Sequence, residues 1–174
     1  MKKHIARLIA LAAFFLALPA SAQIYFGGGL GRSHFNDVCT AQPCDSRDTA
    51  FNLFAGYQLV RFLGVEAAYD DFGHAEVGPS NVKGNAWSGS GVFTVPFSRR
   101  FALFGKAGGY HGNLKSPDIT TRKNGATFGG GVEYIFTPGS GFRLQWQRFR
   151  KMGGGDFNTT VDVDVLSLQV LGRF

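Results

Sequence analysis

From Gln23 to Phe174 the chain repeatedly alternates apolar residues with polar or small ones. A period of two, sustained over segments of roughly ten residues, is the signature of β-strands with two unlike faces. In the closing stretch "VDVDVLSLQVLGRF", Leu166, Leu168, Val170, Gly172 and Phe174 fall on one face, and Val165, Ser167, Gln169, Leu171 and Arg173 on the other. "FLGVEAAYDD" sets Leu63, Val65, Ala67 and Tyr69 against Gly64, Glu66, Ala68 and Asp70. "FRLQWQRF" sets Phe142, Leu144 and Trp146 against Arg143, Gln145 and Gln147. The same split recurs in "AFNLFAGYQL", "FALFGKAGGY" and "TFGGGVEYIF".

With "IYFGGGLGRS" and "AWSGSGVFTV", the pattern predicts eight strands, each of ~9–11 residues, enough for a tilted strand to cross a bilayer. Short turns are expected at Val60–Phe62, Pro96–Arg100 and Thr137–Gly141, and long polar loops at Asn36–Thr49, Gly73–Asn85, Gly112–Lys123 and Arg150–Asp164. An even strand count with alternating short and long connections describes an up-and-down, antiparallel, transmembrane β-barrel with both termini on the short-turn, periplasmic side. A soluble eight-stranded barrel would turn its apolar face inward around a ligand, and so small a barrel cannot hold all of the aromatics inside. The assignment places Tyr57, Phe101, Tyr134, Phe142 and Phe174 in a periplasmic aromatic girdle, and Phe51, Tyr69, Trp87, Phe128 and Trp146 in an outer one. Phe174 then faces lipid on a strand that closes the barrel against the first.

The beginning of the chain has another character. "MKKHIARLIALAAFFLALPASA" combines Lys2, Lys3 and Arg7 with an apolar run from Leu8 to Leu18 and a small-residue end, the form of an export signal cleaved after Ala22. The run is too short for a ~20-residue helical span. Removing the 22 leader residues from 174 leaves 152, one domain's length covering residues 23–174. The leader holds three of the 18 basic residues and none of the 12 acidic ones, so the remainder carries 15 against 12, a net +3. That modest charge, with export, argues against nucleic acid as a partner. Cys39 and Cys44 lie close together in an exported chain, where a disulfide is expected; two Cys without an intervening His make no metal site.

The stretches "LFAGYQLVRFLGVEAAYDDFG", "GVEYIFTP", "FRLQWQ" and "LSLQVLGRF" resemble the transmembrane domain of outer membrane protein A, within the wider group of small Gram-negative outer-membrane barrels. The resemblance implies location in the outer membrane and an interior charge network in which Glu66 and Glu133 face Lys106 and Arg143, with Arg173 nearby. A second lysine of that family's interior is replaced here by Val92, so the family's gating pair is not carried over. The resemblance gives Phe174 a further role as an assembly signal for the barrel-insertion machinery. It also implies that the family's peptidoglycan-binding domain is missing from a chain ending with the barrel.

No catalytic or metal-binding constellation stands out. His34, His74 and His111 fall near outer strand ends without H-x-H or HExxH spacing, and the glycine runs lack GK[ST]. Asp70, Asp71, His74, Ser80 and Ser88 make only a weak echo of a triad and read as loop residues. No cofactor is implied. Lys115, Arg122, Lys123, Arg148, Arg150 and Lys151 gather at the outer end, at the level of lipopolysaccharide phosphates, with Arg148 pointing at lipid. The expected function is a structural or surface-interaction role through the outer loops, with a possible host ligand there. A low-conductance pore and a lipid-modifying enzyme are the alternatives.

Overall fold

The computed structural model describes residues 23–35, 44–45, 47–77, 80–115, 120–153 and 160–174; at 44, 45, 47, 74–77, 80–82, 120, 153 and 160 it describes the backbone only. Eight long strands close into a barrel: β1 (Gln23–Phe35), β3 (Arg47–Val60), β4 (Leu63–Val77), β5 (Ser80–Pro96), β6 (Phe101–Lys115), β7 (Thr120–Thr137), β8 (Ser140–Gly153) and β9 (Thr160–Arg173). All neighbouring pairs are antiparallel, and β4–β5 together with β1–β9 complete the ring. A two-residue segment, β2 (Cys44–Asp45), adds to the outer end of β4. Cys39 and the side chain of Cys44 lie outside the described residues, as do residues 1–22, the expected leader.

Closure satisfies every edge, which a lipid-exposed sheet requires. The final strand pairs with the first from Tyr25–Arg173 outward, and the Phe174 N–H donates to the Ile24 carbonyl (2.9 Å). Its exposed ring stacks on Phe26 at 5.1 Å between centroids, so the chain end is fixed into the wall.

The parity expected from the sequence holds along the strands. Leu53, Val65, Leu103, Leu144 and Leu168 face outward and exposed, whereas Asn52, Glu66, Lys106, Arg143, Gln145 and Gln169 face inward and are buried. On β5 the apolar outward positions run from Val95 to Trp87, positions 95 − 87 = 8 steps apart, or roughly 20 Å along the barrel axis at ordinary strand rise and tilt. That matches the ~25 Å apolar band of outer-membrane barrels. Ring pairs border it: Phe101–Tyr134 (5.0 Å) and Phe136–Phe142 (5.1 Å) at the short-turn end, Tyr69–Trp87 (5.0 Å) and Phe128–Trp146 (5.8 Å) at the other.

The turns at Arg61–Phe62, Phe97–Arg100 and Pro138–Gly139 are as short as expected. The outer connections are not the loops expected at Gly73–Asn85, Gly112–Lys123 and Arg150–Asp164, because the strands continue through most of these stretches. Beyond the bilayer the outward face is bathed in water, so the apolar stripe that betrays a strand disappears while its backbone ladder continues. The extensions carry register shifts at Asp71/His74 and Phe149/Met152. The first contains Gly73 (φ 71°), the second Lys151 (φ 56°), both in the left-handed region that lets a strand bulge.

Candidate functional site: the lumen and the outer rim

The interior is layered. At membrane depth Arg143, from β8, reaches across to Glu66 of β4, the strand diametrically opposite in the ring (Nη1–Oε2 2.7 Å). Its Nη2 and Nε both donate to Oε1 of Glu133, its register partner on β7, at 2.7 and 3.0 Å. Lys106 binds the other oxygen of Glu66 at 3.0 Å, and Arg173 binds the second oxygen of Glu133. Two carboxylates thus neutralise one lysine and two arginines almost completely, leaving one excess positive charge on the partly exposed Arg173. The structure brings together all five residues singled out in the sequence.

Aromatic contacts complete the brace. The Arg143 guanidinium lies 4.6 Å from the ring centroids of both Phe54 and Phe104, faces to which a planar cation is attracted. The Tyr25 hydroxyl donates to Glu66 Oε2 at 3.2 Å. Its ring crosses the position where a side chain at Gly56, its register partner on β3, would stand, so glycine there is a packing requirement. Tyr25, Phe54 and Phe104 are not legible as site residues in the sequence, although their inward parity is. Val92 stands beside Lys106 in register and is buried, so the second interior lysine of the resembled family has no counterpart.

A polar layer of amides and hydroxyls, with the Asp70 carboxyl, lies farther out. Gln147 donates to Thr127, Gln145 to Gln147, Gln169 to Asn52 and Ser167, and Asn52 to Asp70. Asp70 and Ser88, from the weak triad pattern, point into this interior, while the side chains of His74 and Ser80 lie outside the described residues. Above it comes an apolar plug. Phe35, Phe72, Tyr110, Leu114, Phe149 and Met152 are buried together with Val163 and Val165 at the outer mouth. Phe149 stands edge-on to Phe72 (4.9 Å) and Tyr110 (5.3 Å), and the Tyr110 hydroxyl donates to the Arg150 carbonyl at 2.7 Å.

The six basic rim residues do not form one patch. Arg148 makes a two-pronged contact with Asp164 (2.6 and 2.7 Å) and lies over Trp146 at 5.5 Å. Arg150 and Lys151 sit exposed at the β8 bulge, where the Lys151 N–H donates to Asp162. Lys115 and Arg122 are exposed on the outward register of β6 and β7. Lys123 is in register with inward-facing Gly112, so its side of the strand is the lumen side, a correction to its placement on the lipid-facing rim. His111 is outward and bonded to Asn124 at 2.6 Å.

An eight-stranded antiparallel wall with an apolar girdle, a salt-bridged lumen and short turns at the end that holds Gln23 and Phe174 defines a small outer-membrane barrel. The chain belongs to the OmpA-like transmembrane domain family, whose description matches residues 19–174. Outer membrane protein A of Escherichia coli O157:H7 is 30% identical over 190 residues, covering 99% of this chain and 55% of that protein. The Salmonella typhi protein of the same name is 29% identical over 194 residues, with the same coverage. The chain therefore spans about half the length of the curated relatives it matches. Among solved structures, neisserial surface protein A superposes with a TM-score of 0.69 at 13% identity, covering 87% of this chain and 97% of that one. Ail, the attachment invasion locus protein of Yersinia pestis, gives 0.61 at 18%, covering 88% and 99%. The protein is an integral barrel of the Gram-negative outer membrane.

Proposed function

We propose that this barrel is a closed scaffold that supports the envelope and presents its outer hairpins for surface interaction, without catalysing a reaction. The observation that carries the reading is the filled lumen: a neutralised charge brace at membrane depth and an apolar plug at the outer mouth. Eight strands enclose little more than the side chains themselves, and the plug adds a water-poor barrier that a pore would have to open. Closed walls leave the outer hairpins and the rim as the surfaces on which a partner can act. An attachment role is in keeping with the fold shared with Ail, a structure of which was solved with the heparin analogue sucrose octasulfate. Lipopolysaccharide is the lipid partner of the rim.

The same reading includes removal of residues 1–22 on export, a Cys39–Cys44 disulfide in the first outer connection, and Phe174 as a signal to the barrel-insertion machinery. Deleting Phe174 is expected to lower insertion yield in cells several-fold, since stacking on Phe26 and the bond to Ile24 are lost with the signal; normal yield contradicts that role. The test of the function is replacement of all four outer hairpin tips by short turns. Adhesion to host cells and matrix should fall while the heat-modifiable gel shift of the folded barrel persists. Unchanged adhesion would remove the hairpins from the function.

A further inference from the structure

Two cross-strand ladders run down the outside of the barrel from the outer rim, and they differ rung by rung. On β8–β9 the rim rung is Arg148–Asp164, an ion pair, and below it come Trp146–Leu166 and Leu144–Leu168, all bulky. On β5–β6 the rim rung is Lys83–Lys115, two exposed ammonium groups in direct register, a pairing that costs stability unless an anion sits between them. Arg122, on β7, stands one rung lower beside Asn113. Among the described residues none of Lys83, Lys115 and Arg122 enters an ion pair. Asp71 is in register with Asn85 and accepts from the Gly73 N–H, while the side chain of Glu76 and all of Asp118 lie outside the described residues.

Below the cations the ladder changes character in steps. Asn113 donates to Asn85 at 3.2 Å, and Trp87 pairs with His111 at the girdle. Then come Gly89–Gly109 and Gly91–Ala107, where the wall carries almost no side chains. A Cβ built on Gly89 or Gly105 meets no atom within 4 Å, so this is open space on the lipid side. At the lower end of this stretch, around Gly91, Gly105 and Ala107, lies a groove of about 510 Å³ walled by Leu63 and Phe93. Lys83 is four residues beyond Trp87, which places its charge roughly 10 Å above the girdle, the headgroup level.

We propose that the β5–β7 face is a binding site for one phosphorylated glycolipid of the outer leaflet, its phosphoryl group on Lys83, Lys115 and Arg122 and an acyl chain in the glycine groove below. Charge complementarity and depth select this occupant: an anion is needed at the headgroup level, and a slender apolar chain directly beneath it on the same strands. The site rests on the reading of the rim as facing lipopolysaccharide, and it narrows that reading to one sector in which Arg148 has no part. Lys83, in the expected Gly73–Asn85 connection, was not among the rim residues picked from the sequence, which all come from the later strands and loops.

Native mass spectrometry of the detergent-folded barrel with bisphosphorylated hexa-acyl lipid A tests it. The wild type should retain one lipid, and K83A/K115A/R122A should bind at least tenfold more weakly, with its heat-modifiable gel shift intact. R99A/R100A, which removes charge at the periplasmic turn, should bind as the wild type does. Fully dephosphorylated lipid A should bind the wild type as weakly as the triple variant binds the phosphorylated form, and excess inorganic phosphate should not displace the lipid. Gly105→Leu, whose Cβ meets no atom and whose side chain enters the groove, should weaken retention several-fold. Retention by the wild type that the triple variant keeps and R148A loses would overturn this site while leaving the rim reading in place. No retention by the wild type would overturn both. A dimer abolished by Gly105→Leu would assign the groove to a second copy of the chain and overturn the lipid.

Discussion

Arg143 and Phe149 lie six residues apart on β8, both point into the lumen, and both are at most 1% exposed, yet their surroundings are opposite. Around Arg143 the lumen is held by two carboxylates and two aromatic faces. Around Phe149 it is held by rings and aliphatic side chains. The difference follows what lies on the other side of the wall. At Arg143 the wall faces lipid and its outward residues are apolar, so the inward set is free to be polar provided each charge is paired. At Phe149 the wall has left the bilayer, its outward neighbours include Arg148 and Arg150, and stability requires an apolar interior of the kind a soluble barrel has. The polarity of the two faces inverts at the membrane surface within single strands.

Cutting the brace should have the largest effect. Arg143→Ala leaves two buried carboxylates facing each other with one lysine and Arg173, and breaking such a cluster costs about 3–5 kcal/mol; reversible urea unfolding in lipid vesicles reads the loss. A change under ~1 kcal/mol would mean that the brace is hydrated and does not hold the wall. Phe149→Ala attacks the plug. Removing a fully buried ring costs about 3 kcal/mol, toward the low end for Phe→Ala because the mouth is less confined than the bilayer section. It is also expected to raise amide exchange in the outer ends of β6, β8 and β9 while leaving the midsection protected. Uniform deprotection would erase the distinction between the regions.

How much of this contrast was visible beforehand follows from the same inversion. Glu66, Lys106, Glu133 and Arg143 were named through the family resemblance, and their place on the inner phase of lipid-facing strands agrees with it. Phe35, Phe72 and Phe149 stand at the very ends of the expected strands, where polar outward neighbours leave no apolar stripe to mark them, and Met152 falls in an expected loop. Continuing the inward parity past the girdle, through "YDDFG" and "QRF", is the signal that would have found Phe72 and Phe149, whereas the bulge at Lys151 puts Met152 out of that phase. The aromatic partners of Arg143 had the right parity but nothing local to distinguish them from other inward residues. The pairing geometry depends on which strands stand opposite, and only barrel closure sets that.

Two smaller changes sharpen the comparison. Val92→Lys introduces a second ammonium beside Lys106, with Glu66 already shared, and should cost about 2 kcal/mol by unfolding. A neutral or stabilising result would show that the brace has spare negative charge. Arg148→Ala, at the outer rim, removes a half-buried ion pair and should lower the urea midpoint least of the four changes. A large loss there would place stabilising charge outside the lumen.

The central claim is that brace and plug together close the barrel, and single-channel recording of the folded wild type in planar bilayers tests it most directly. The account predicts a silent membrane across a wide voltage range, with stepwise openings gained only when Phe149→Ala is combined with Arg143→Ala. Discrete openings from the folded wild-type barrel would contradict it.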